Sequence, residues 1–88
     1  MNATITPFGS VPDEFGLCPR CRRSDGYLNI GREHFGVCHR HRVQWRIGDN
    51  LFSDWRDEDE PIWRRNERLL AGYREVRPFH RRRLEPTP

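Results

Sequence analysis

Apolar and polar residues alternate in three short stretches between positions 27 and 47, and a longer stretch with helical spacing follows them. Tyr27-Leu28-Asn29-Ile30 alternates as a strand does. Gly31-Arg32-Glu33 reads as a hairpin turn and His34-Phe35-Gly36-Val37-Cys38 as the returning strand. In Arg42-Val43-Gln44-Trp45-Arg46-Ile47 the apolar members share one face and the polar members the other. β-Branched and aromatic residues at a period of two predict strands, and Gly48-Asp49-Asn50 ends the last of them. The predicted inner set is Leu28, Ile30, Phe35, Val37, Val43, Trp45 and Ile47; His34 shares the strand face of Cys38, where it could support that residue's site, and exposure to solvent is the reading preferred.

Leu51 to Trp55 is consistent with a helical turn that packs Leu51, Phe52 or Trp55. Asp57-Glu58-Asp59-Glu60-Pro61 marks a helix start, because acids suit the positive end of the helix dipole and proline fits the first turn. Ile62, Trp63, Leu69, Leu70, Tyr73 and Val76 then fall on one side of a helix at 100° per residue. Pro78 disfavours helix at Arg77, so the predicted end is near Val76. Arg64, Glu67, Arg68 and Glu75 give the outer face mixed charge, as on a solvated surface.

The predicted domain spans residues 17–77. Residues 1–16 form an irregular arm with Ile5, Phe8 or Phe15 tucked onto it, and 78–88 form a disordered basic tail. The expected architecture is a small α+β fold: a three-stranded antiparallel β sheet followed by one amphipathic C-terminal helix.

With 88 residues, 34% of them apolar and 33% charged, the chain has little with which to build a large core, and a domain this small and polar calls for a staple. Cys18-Pro19-Arg20-Cys21 and Cys38-His39-Arg40-His41 supply one. Two residues between ligands let a tight turn aim both side chains at one ion, and a sixteen-residue spacer is usual between such pairs in zinc sites. Three thiolates and one imidazole complete a closed tetrahedral set, which makes Cys18, Cys21, Cys38 and His41 the candidate ligands of a structural Zn2+. His39 competes with His41 for the fourth position, but it adjoins Cys38 and breaks the spacing. A thiolate-rich tetrahedral site suits iron as well as zinc.

Four protein ligands leave no open position for catalysis. The chain has neither an H-x-E pairing nor an H-E-x-x-H motif, and C-x-x-C lacks the βαβ context of a redox pair. The expectation is a protein that is not an enzyme and has no small-molecule substrate. Without a long apolar run or a basic leader, and with an odd cysteine count, the expected setting is the reducing cytoplasm, with no membrane partner.

The two knuckles resemble those of the zinc ribbon superfamily, in which ligand pairs are carried at the ends of a small antiparallel sheet. The resemblance covers about residues 16–48 and implies the metal and the ribbon fold. It departs from that pattern twice: the fourth ligand is histidine, and no glycine follows either knuckle to relieve the turn. Ribbons serve transcription, replication, translation and protein docking alike, so the resemblance leaves the role open.

All sixteen basic residues are arginine and the net charge is +3. Residues 18–48 hold seven arginines against Asp25 and Glu33, while residues 49–60 hold six acids against Arg56. One reading is nucleic-acid contact through Arg20, Arg22, Arg23, Arg40 and Arg42 around the knuckles, with Arg81, Arg82 and Arg83 as a clamp on phosphates. The other is protein docking, through Trp45, Trp55 and Trp63 with the arginines and an unpaired ribbon edge. Against both stands the plainer view that the arginines solvate the surface or pair with the acidic run, and that the tryptophans hold the helix to the sheet.

Overall fold

The computed structural model describes residues 13–80. Strands β1 (Tyr27–Ile30), β2 (Glu33–Cys38) and β3 (Val43–Asp49) form an antiparallel meander. Gly31, at φ +61°, makes the first turn, where only glycine takes the left-handed region without strain. Opposite the step between His34 and Phe35, β3 carries one extra residue, Ile47, as a bulge. A 3-10 turn (Asp54–Asp57) leads to α1 (Glu60–Ala71). Asp59 caps α1 by accepting the Ile62 N–H at 3.4 Å, and a proline lies in the first turn.

The helix ends five residues before the predicted Val76. Gly72 closes it, and the chain then runs as a two-residue strand, β4 (Arg74–Glu75), parallel to β3. The Arg74 and Val76 N–H groups donate to the carbonyls of Arg42 and Gln44, at 3.0 and 2.9 Å. The sheet therefore has four strands in the order β1-β2-β3-β4 and is mixed, in place of three antiparallel strands. The physical reason is the open edge of β3: its carbonyls gain partners from a short returning strand that a longer helix could not supply. The helical spacing of Tyr73 and Val76 is coincidental. The chain also stays docked past the expected boundary at residue 77, because Phe79 and Leu17 exchange two backbone hydrogen bonds of 2.8 Å.

Both faces of the sheet are covered, and this overturns part of the predicted inner set. Val37, Val43 and Trp45 are buried and Ile47 packs against the cluster of Cys18, Cys38, Val43 and Trp45, but Leu28, Ile30 and Phe35 are only half-buried. Gln44 reaches across one face to donate to the Leu70 and Tyr73 carbonyls, at 2.9 and 3.1 Å. Asn66 of α1 donates to the Asn29 carbonyl at 2.8 Å, on the outer edge of β1. On the other face the Trp45 indole lies across Gly36 and reaches Gly16, and its Nε1–H donates to the Phe15 carbonyl at 3.1 Å. Phe15 is thus drawn into the domain, whereas Ile5 and Phe8 fall outside the described residues.

That second face also holds His34, which is fully buried and not solvated. Its register partner is the buried Asn29, whose Oδ1 is 2.6 Å from His34 Nδ1, while Nε2 accepts the N–H groups of Leu51 and Phe52 at 3.0 and 3.1 Å. The ring is therefore the neutral Nδ1–H tautomer with every polar atom satisfied. Burial holds its pKa below the usual histidine value, against the opposing pull of Asp54 and Asp49. Phe52, stacked on Tyr27 and edge-on to Phe15, closes the cluster, and Leu51 is left 52% exposed.

Candidate metal centre

The cluster of ligand atoms forms where two tight turns meet at one end of the sheet. In the first, the Arg22 N–H closes onto the Cys18 carbonyl at 2.7 Å and the Cys18 N–H onto that of Arg23 at 2.8 Å. The second joins β2 to β3 across Cys38 to Arg42. Asp25 ties them together: its N–H donates to the Val37 carbonyl at 2.9 Å, and its carboxylate accepts the His39 N–H at 2.7 Å.

Arg22 and Arg42, which directly follow the two turns, both adopt left-handed backbone, with φ of 59° and 54°. This is the conformation a glycine would supply, and an L-residue holds it at a cost of about 1–2 kcal/mol. The missing glycines therefore change the energy of the turns and leave their shape intact. Each arginine has a compensating contact. Arg22 lies over the Phe79 ring at 4.6 Å and Arg42 over the Tyr73 ring at 5.7 Å, so both strained turns are pinned by the C-terminal segment.

The Sγ atoms of Cys18, Cys21 and Cys38 and a ring nitrogen of His41 all lie within 4.8 Å of one another. Cys18 Sγ and Cys38 Sγ are 3.4 and 3.6 Å from His41 Nδ1, and Cys21 Sγ is 3.7 Å from Cys38 Sγ. A tetrahedral ion with bonds of about 2.3 Å to sulfur and 2.0–2.1 Å to nitrogen has S···S edges of roughly 3.8 Å and S···N edges of roughly 3.6 Å. The three observed separations match those edges, so the cluster is compatible with one bound metal ion. No disulfide competes for the thiols.

Between His39 and His41, only His41 enters the cluster. His39 points outward, with Nδ1 2.7 Å from the Tyr73 hydroxyl. Cys18 is fully buried and Cys38 nearly so, against Val43, Trp45 and Val76, while Cys21 is half-buried. Burial pushes the Cys38 thiol up to about 11, reinforced by its cysteine neighbours. At Cys18 burial pushes the same way, but hydrogen bonds from the backbone N–H groups of Cys21 and Arg20 outweigh it and leave the thiol below its ordinary value. Backbone donors thus favour ionisation at Cys18, while the surroundings of Cys38 oppose it, and a bound cation would favour the thiolate there.

The predicted arginines divide. Arg22 and Arg42 are engaged with Phe79 and Tyr73. Arg20, Arg23 and Arg40 are exposed around the turns, and none has an acidic partner among the described residues. Arg81, Arg82 and Arg83 lie outside the described residues. The acidic run does not pair with the knuckles: Asp54 accepts from Tyr27 and Asn29, Glu58 from Asn29 and Trp63, Asp59 caps α1, and Glu60 binds Arg64.

Sequence reasoning missed Tyr73 and Phe79 as neighbours of the centre, since one was assigned to the helix and the other to the tail. No helix of the described residues is long and apolar enough to cross a membrane. Comparisons with family models, curated proteins and solved structures find no match.

Proposed function

We propose that the cluster holds a structural zinc ion and that the module it staples contacts nucleic acid through the arginines around the two turns. Three thiolates and an imidazole fill a tetrahedron, so the ion has no open position for substrate, and its role is to hold the turns together. The observation that carries the reading is the division of charge. Arg20, Arg23 and Arg40 project from the end that holds the cluster without acidic partners among the described residues, while Asp54 and Glu58 accept hydrogen bonds within the body, Asp59 caps α1 and Glu60 pairs with Arg64. The described residues end at His80, one residue beyond the Leu17–Phe79 bridge, and Arg81, Arg82 and Arg83 follow it in the sequence.

The features that would favour protein docking are consumed by the fold. Trp45 is buried; the Trp55 and Trp63 indoles are half-buried and donate to Asn50 and Glu58 at 3.1 Å. β4 covers the Val43–Gln44 part of the β3 edge, and Asn66 occupies a carbonyl on the β1 edge.

Fluorescence anisotropy of a labelled random oligonucleotide against zinc-loaded protein tests the reading. Six arginine–phosphate contacts give a slope of log K on log salt of about −4 to −5, and Arg20→Gln/Arg23→Gln/Arg40→Gln should remove about half of it. Absence of binding at ~50 mM salt, where such contacts are strongest, would refute it. Metal analysis of purified protein should return one zinc per chain, and iron in its place would correct the identity of the ion.

A further inference from the structure

Two arginine–aromatic pairs flank the metal cluster, one on each turn, and neither is needed to coordinate the ion. Arg22 lies over Phe79 at 4.6 Å and Arg42 over Tyr73 at 5.7 Å. Both rings are half-buried, both arginines are exposed, and the exposed His39 ring lies edge-on to Tyr73 with centroids 5.7 Å apart. Exposed guanidinium groups lying over aromatic rings are therefore interleaved with Arg20, Arg23 and Arg40, which have no acidic partner among the described residues.

From this juxtaposition we infer that the preferred ligand is a single-stranded nucleic acid, whose unpaired bases extend the Arg22–Phe79 and Arg42–Tyr73 stacks while its phosphates meet the knuckle arginines. The inference rests on the nucleic-acid reading above and specifies the form of the ligand. Unpaired bases offer π faces to aromatic rings and guanidinium planes; a duplex hides those faces and presents phosphate alone. The rings are already held by the fold, through the backbone bridge at Phe79 and the Tyr73 hydroxyl's contact with His39, so little ordering is required when a base arrives. The helix is a poor groove reader by contrast. Its exposed surface mixes both signs, with Arg64 paired with Glu60 at 2.7 Å beside Arg65, Glu67 and Arg68. The acids near the turns are few: the Asp25 carboxylate is occupied by the His39 N–H, and Glu75 projects from β4.

The test compares a fluorescein-labelled 12-nucleotide single strand with a hairpin duplex of the same sequence, using the full-length, zinc-loaded chain. The single strand should bind at least tenfold more tightly. Phe79→Leu and Tyr73→Leu keep apolar bulk but remove the π face. Each should weaken single-strand binding about five- to tenfold while duplex binding and the salt slope stay as they were. Photo-crosslinking of an iodouracil-substituted strand to the unmodified protein provides a check independent of the folding of any variant, and adducts should map to Phe79, Tyr73 or His39. Equal or tighter duplex binding, or adducts confined to other residues, overturns this inference and leaves nucleic-acid contact standing. Failure of both ligands to bind overturns the two together.

Discussion

Gly36→Ala tests whether packing around Trp45 and metal binding are one cooperative unit. A methyl group at position 36 would lie 2.3 Å from Trp45 Nε1, 2.4 Å from Cε2 and 2.7 Å from Cζ2, about 1 Å inside ordinary contact. The indole cannot yield cheaply. It is only 1% exposed, it is bonded to the Phe15 carbonyl, and on its far side a Cβ at Gly16 would also meet Nε1, at 2.8 Å. Overpacking of this kind costs about 1–3 kcal/mol, and weakening the buried indole hydrogen bond adds about 1 kcal/mol, for a sum near 3 kcal/mol. Trp45 packs with Cys18, Cys38 and Val43, so this loss should appear in metal binding, because the free energy of binding to such a small domain is folding free energy. The expected result is an apparent zinc affinity lowered about 100-fold, read by competition with a chromophoric chelator. Gly31→Ala is the control: no atom lies within 4 Å of its Cβ and only the left-handed backbone resists, so the loss should stay near tenfold or below. An affinity for Gly36→Ala within twofold of the unmodified protein would refute the coupling.

His41→Ala should abolish retention of metal against a chelator, whereas His39→Ala should leave it within a few-fold, as native mass spectrometry can show; equal losses would contradict the assignment of the fourth ligand. Burial of His34 depresses its pKa, so the unfolded chain takes up more protons as pH falls through about 6.5. Stability that is fully present above that pH should then be lost on acidification, at up to about 1.4 kcal/mol per pH unit until the folded-state pKa is passed. His34→Gln should flatten this part of the denaturation profile between pH 5 and 7, measured at saturating zinc, and an unchanged slope would count against a buried neutral imidazole. Arg22→Gly exchanges relief of left-handed strain, about 1–2 kcal/mol, for loss of the Phe79 contact, about 0.5–1 kcal/mol, and for glycine's greater unfolded-state entropy, about 0.5–1 kcal/mol. Its Tm should therefore shift by only a few degrees, while Arg22→Val, β-branched and ill-suited to that backbone, should unfold at markedly lower temperature.

The four candidate ligands were legible in the sequence because ligand spacing is a local property: C-x-x-C and C-x-x-H each encode one turn, whatever surrounds it. The hairpin and the third strand were legible for the same reason, since alternation and turn residues act over a few positions. The start of α1 followed from its acids and Pro61. Its end did not, because residues 73–76 satisfy the helical period and become a strand only where the β3 edge is waiting for them.

What tertiary structure alone decided concerns groups that are far apart in the chain and need each other as partners. Alternation identifies two faces of a strand but cannot say that both will be covered, so Leu28 and Phe35 were assigned to the core and His34 to solvent. In the fold His34 is buried, because the backbone N–H groups of Leu51 and Phe52 require an acceptor once Phe52 closes over that face. The arginines following the turns likewise departed from a glycine pattern in sequence. Only the return of Tyr73 and Phe79 to the end that holds the Cys/His cluster supplies the contacts that accompany a left-handed backbone at Arg22 and Arg42. Local chemistry specified the candidate ligands, and long-range closure determined what surrounds them.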